Sequence, residues 1–180
     1  NIKVTTLNDD SEKLLLSSEA DVILDAFPVE DNRLICEEIH GEQLVVIARA
    51  DHPSLNKTTL LPHQYFEAFH AVLPERGRRL PLSQLAGEEL SKKRKVALQV
   101  SHYSSLLVAV SNSDLIATFP STLAKSYAKQ FNLKVFPWPF PQTPINIHLM
   151  RPKVLMQDPA HMWFLNELKI SIAQTQEQIK

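Results

Sequence analysis

Ser101-His102 is the place where the residue types of this chain best support chemistry. A β-branched and apolar run, Val96-Ala97-Leu98-Gln99-Val100, stops there, and a helical pattern from 102 to about 111 begins. A strand end that feeds a helix start presents unpaired N–H groups, which suit an anion. A carboxylate held there gains about 0.3–1 kcal/mol from the helix dipole, and His102 can add a charge-assisted hydrogen bond. The plainer reading is that Ser101 only caps the helix and His102 faces solvent. Thr118-Phe119-Pro120 ends the next strand. There Thr118 can bond a polar group and Phe119 can form an apolar wall, or Phe119 can be core. Asp25-Ala26-Phe27-Pro28 and Leu73-Pro74 end two further strands, so Asp25, Phe27 and Leu73 join the candidates. Each has a turn-packing alternative.

Other chemistries find little support. The seven histidines include no His-Glu-x-x-His pattern and no zinc-ligand spacing with cysteine, so no metal is expected. There is no Gly-x-Ser-x-Gly, and three glycines cannot build a phosphate loop. Asp25, Ser101 and His102 can be drawn as a small catalytic set, but no motif supports it, so no enzyme and no cofactor is expected. Cys36 is the single cysteine and reads as buried and inert. It allows no internal disulfide, which points to a reducing, cytoplasmic setting. Arg76, Arg78, Arg79 and Lys92-Lys93-Arg94-Lys95 form a basic cluster. With acidic neighbours and no interleaved aromatics it reads as a solvated face. A net charge of −1 gives no positive field for nucleic acid. No apolar run reaches the roughly 20 residues of a membrane span.

The elements that must position these residues alternate. Strands are expected at 2–7, 21–25, 34–49 (bent at Gly41-Glu42), 69–73, 96–100, 115–119, 134–136 and 145–150. Helices are expected at 11–18, 59–66, 81–90, 102–111 and 120–131. A terminal helix is capped by Asp158 with Pro159 at its first position. On it, Trp163, Phe164 and Leu168 are expected in the core. Strands alternating with helices argue for parallel sheets covered on both faces. Segments 34–49 and 133–150 read as crossings between two lobes, one of residues 1–45 plus 146–180 and the other of 46–145. A strand from the first residue, with no methionine, suggests a piece of a longer protein.

Four segments carry a family likeness. Ala20-Asp21-Val22-Ile23-Leu24-Asp25, Glu42 to Pro53 with its His-Pro turn, Val100 to Pro120, and Asp158-Pro159-Ala160-His161-Met162-Trp163 occur in the order found in LysR-type transcriptional regulators. The chain resembles their effector-binding domain. That resemblance implies an α/β fold of two Rossmann-like lobes with a ligand cleft between them, similar to type II periplasmic binding proteins. It also implies a small-molecule effector, a homo-oligomer (dimer or tetramer), and DNA contact only through a helix-turn-helix domain outside this chain. The first strand and helix of the sensor domain are also missing from the pattern. Met150-Arg151 stands where one branch often has Trp-His. A solute-binding protein of a transport system is the alternative with the same shape.

Overall fold

The computed structural model describes residues 1–5, 11–55, 58–74 and 93–179. Its elements in chain order are α1 (Ser11–Leu16), β1 (Ile23–Asp25), β2 (Leu34–Glu42), β3 (Leu44–Arg49), α2 (Pro62–Glu67), β4 (Phe69–Val72), β5 (Lys95–Gln99), α3 (Tyr103–Ser111), β6 (Ala117–Pro120), α4 (Ser121–Tyr127), β7 (Leu133–Pro137), β8 (Ile145–Pro152), a 3-10 turn (Lys153–Gln157) and α5 (Pro159–Ile179). The helix expected at 81–90 and the basic residues 76–79 and 92 lie outside the described residues. Among the described residues, one compact unit runs up to Gly41 and resumes at Ile145, and a second runs from Glu42 to Pro144. The sequence pattern predicts these boundaries at 45/46 and 145/146.

The first unit holds a three-stranded sheet in the order β1-β8-β2. β1 and β8 are antiparallel, with Ile23 opposite Met150 and Asp25 opposite His148. Leu15, Ile23, Val29, Leu34 and Met150 form its core. The strand expected from residue 2 does not form in residues 1–5, where Ile2 and Val4 are exposed. Alternation alone does not make a strand, because its backbone groups need a neighbouring ladder. Asp158 caps α5 as expected, its Oδ1 accepting from His161 N at 2.8 Å. The same helix corrects one core assignment. Leu165 is buried, Phe164 and Leu168 are half-buried, and Trp163 is 65% exposed. Helical spacing names a face only approximately, and the buried stripe falls elsewhere. Cys36 is exposed rather than buried, although it shares a face of β2 with the core residue Leu34.

In the second unit β3 is central, with β6 on one side and β7 on the other, and both pairings are antiparallel. The all-parallel expectation therefore fails here. Alternating helices and strands set the connections, but β3 pairs with strands far along the chain, whose direction those connections do not fix. β4 and β5 are parallel, as expected, and a parallel bridge joins His70 of β4 to Ile116 just before β6.

Residues directly opposite in a sheet share a face. Val45, Ile47, Ala117, Phe119 and Val135 face one side and pack with Leu106, Leu107 and Val110 of α3 and Ala124 of α4. Val46, Thr118 and Phe136 face the other side. On that side Tyr65 of α2 meets His70, Trp138 and Phe140 edge-on, at ring separations of 4.5, 5.3 and 5.5 Å. Such aromatic pairs add to the area they bury.

The His-Pro turn is explained by packing. Ser54 N donates to His52 Nδ1 at 3.2 Å, so Nε2 carries the ring hydrogen and donates to Asp114 O at 3.0 Å. Arg49 at the end of β3 bridges the Asp114 and Asp51 carboxylates at 2.8 and 2.7 Å. The turn after β3 is thereby tied to the loop before β6.

Candidate ligand-binding site

β4 is parallel to β5 and to the segment leading into β6, so three strands point their carboxyl ends the same way. Leu73 follows β4, Ser101 and His102 follow β5, and Thr118 and Phe119 lie near the end of β6. The fold thus gathers five of the seven sequence-derived candidates at one sheet edge, where ligands of open α/β sheets bind.

Ser101 and His102 are exposed. One detail of the sequence reading is corrected. The N-cap of α3 is His102, in extended conformation, and no side-chain cap hydrogen bond is made. Ser101 lies one residue too early to cap, because helical geometry starts only at Tyr103. The first turn of this nine-residue helix therefore has N–H groups left to solvent or to a bound anion. Tyr103 stands beside them, 42% exposed, its ring edge-on to Phe119 at 5.1 Å.

Thr118 and Phe119 point to opposite faces of the sheet. Phe119 is fully buried in the core beneath α3 and α4, which is the packing role weighed for it above. The half-buried Thr118 pairs its hydroxyl with the Tyr65 hydroxyl at 2.8 Å. Burial pushes the Tyr65 hydroxyl pKa up, against hydrogen bonds from Thr118 and Arg94. Leu73 is half-buried against the same core as Phe119. Asp25 and Phe27 belong to the first unit, and both are half-buried. Asp25 ends β1 and accepts from Ala26 N at 2.7 Å.

Sequence reasoning missed the polar group behind Thr118. His70 is fully buried and its Nε2 lies 2.7 Å from Tyr65 O. Burial, helped by the nearby Arg94 charge, lowers its pKa to about 4, so the ring is neutral at pH 7. The only signal was a histidine inside a short apolar run, Phe69-His70-Ala71-Val72. The first unit has a counterpart in His161, 8% exposed at the start of α5. Its pKa is lowered by burial and then by Arg151, with Asp21 and Asp158 opposing. Among the described residues no group of three His, Cys, Asp or Glu could hold a metal. Among them, too, no helix is long and apolar enough to cross a membrane.

Helices on both faces of the second unit's sheet, with a polar helix start at the edge of parallel strands, define an α/β binding module. The family model of the LysR substrate binding domain matches residues 1–172, and the chain belongs to that family. It is 25% identical over 164 residues to the HTH-type transcriptional regulator LeuO of Escherichia coli (strain K12), a match covering 91% of this chain and 52% of LeuO. The chain spans about half the length of the curated relatives it matches. Its fold is that of the regulatory domain of MexT, a transcriptional activator in Pseudomonas aeruginosa. That likeness has a TM-score of 0.75 at 23% identity, over 91% of this chain and 81% of that one. The effector binding domain of QuiR in complex with shikimate superposes with a TM-score of 0.69 at 18% identity, over 86% and 72% of the two chains. These neighbours share the two-lobe fold of LysR effector-binding domains.

Proposed function

We propose that this chain senses a small organic acid for a LysR-type transcriptional regulator. The observation that carries the reading is the uncapped start of α3 beside exposed Ser101 and His102, within a chain matched by this family along 172 residues. Backbone N–H groups of the first turn, the Ser101 hydroxyl and the His102 imidazole would hold the carboxylate. Leu73 and Tyr103 would supply apolar surface. Thr118 would act with Tyr65 behind them, and Phe119 would shape the floor from within the core.

Binding would favour one conformation over another, which requires different affinities for the two. The state would pass to a helix-turn-helix domain through packing between subunits of a homo-oligomer in the cytoplasm. DNA would be touched only by that domain. A transport role shares the two-lobe shape, but LeuO is named as a transcriptional regulator and NagR of Ralstonia sp as a transcriptional activator.

A titration calorimetry screen of small carboxylates, shikimate included, tests the site. A charge-assisted hydrogen bond is worth about 1.5–3 kcal/mol, so Ser101→Ala or His102→Ala should weaken a binder roughly tenfold or more. A binder indifferent to both Ser101→Ala and His102→Ala overturns the assignment.

A further inference from the structure

Among the described residues the chain leaves the first unit after Gly41 and returns after Pro144. Both connecting segments are cross-linked on each side of that boundary. On the second unit's side, Gln142 Oε1 accepts from Leu44 N at 2.8 Å, and its Nε2 donates to Leu44 O at 3.2 Å. A side-chain amide offers the same donor and acceptor as a peptide group. Gln142 therefore supplies the next rung after Val45 opposite Pro137, where the β3–β7 ladder ends. The chain cannot continue that ladder regularly, because Pro137, Pro139 and Pro141 have no N–H to give.

Two residues before Leu44, the Glu42 carboxylate accepts from Gln43 N, Ser121 N and Ser121 Oγ at 2.8–3.0 Å, which fixes the entry of the first segment. On the first unit's side, Asn146 Nδ2 donates to Glu38 Oε2 at 2.8 Å, between strands β2 and β8 that neighbour each other in the sheet. Between these ties lie residues 39–41 of one segment and 143–145 of the other, with Gly41 and Pro144 at the crossing points.

We propose that Gln142 is a hinge clamp: it holds the two connecting segments as a pair at the edge of the second unit, so that any reorientation of the units bends both together at Gly41 and at Thr143–Pro144. It is a positioning residue, and it touches no effector in this scheme. Without it the segment at 141–144, beyond the Trp138 and Phe140 rings that pack on Tyr65, would move separately from β3, and the hinge would lengthen into the second unit.

The test needs no effector, so its failure is distinct from failure of the sensing site. In a Cys36→Ser background, spin labels at Lys129→Cys and Asn166→Cys, one exposed position in each unit, report the inter-unit distance distribution. Amide exchange at Leu44 is read in parallel. Gln142→Leu should at least double the width of the distribution and speed Leu44 exchange tenfold or more. If Gln142→Leu fails to fold, Gln142→Asn, polar but one methylene too short to reach, gives the same readout. Faster Leu44 exchange with an unchanged distance distribution overturns the proposal, since the bonds would then be local. So does a folded variant unchanged in both.

Discussion

Glu42→Ala should be among the more damaging polar substitutions in the second unit. The Glu42 side chain is 9% exposed, and its Oε1 accepts from Gln43 N at 2.8 Å, Ser121 N at 3.0 Å, Ser121 Oγ at 2.8 Å and Thr122 N at 3.3 Å. It is an N-cap for α4 delivered from a residue 79 positions away. Ser121 N keeps a second acceptor, Gln43 O at 2.8 Å, so that group is not orphaned by the change. The loss is then a helix cap, about 1–2 kcal/mol, plus the stranded Gln43 N–H, about 1–3 kcal/mol. A total near 3 kcal/mol in a domain of this size lowers Tm by about 6–12 °C. Burial opposes the Glu42 charge, but the hydrogen bonds from Ser121, Thr122 and Gln43 outweigh it and hold the carboxyl pKa below its ordinary value. A carboxyl whose pKa is depressed on folding stabilises above its unfolded pKa, and that stabilisation is lost as pH falls through the folded value. Wild type should therefore exceed Glu42→Gln by about 1 kcal/mol at pH 7, with the gap closing below about pH 4. Thermal and urea denaturation across pH 3–7 read both effects. A Glu42→Ala protein melting within 2 °C of wild type at pH 7, or a gap to Glu42→Gln that widens in acid, would refute the reasoning.

His70 supplies a second pH effect. Its folded pKa of about 4 lies below the ordinary 6.5, so the unfolded chain binds the extra proton. Stability from this group is complete above pH 6.5 and lost as pH falls toward 4, to the extent of about 3 kcal/mol. Denaturation of Gln-substituted His70→Gln should lack that share of the acid slope. Tyr65→Phe and Thr118→Val should each destabilise, and their double-mutant cycle should show a coupling of about 1 kcal/mol. Additive losses would dissolve the pair. On α5, Trp163→Ala should change stability by less than about 0.5 kcal/mol, while Leu165→Ala, at 3% exposure, should cost about 2–5 kcal/mol by urea titration.

Much of the candidate site was legible because it depends on local order in the chain. The apolar run 96–100 followed by Ser101-His102 marks a strand end and a helix start wherever the domain places them. Phe119 shows the limit. Its residue type suits a pocket wall and a core equally, and only the pairing of Val45 with Phe119 sends its ring beneath α3. Tyr65, His70 and Arg94 were invisible as a group, since they meet through folding and no spacing marks them.

The sequence by itself determined the alternation of helices and strands, the Asp158 cap, and the family pattern spread over four segments. These follow from side-chain periodicity and local hydrogen-bonding, which act within a few residues. The tertiary structure alone decided that β3 runs antiparallel to both neighbours, that Trp163 faces outward, and that Gln142 completes a ladder with Leu44. Those outcomes depend on which distant segments meet and in what register, and a local pattern carries no information about that.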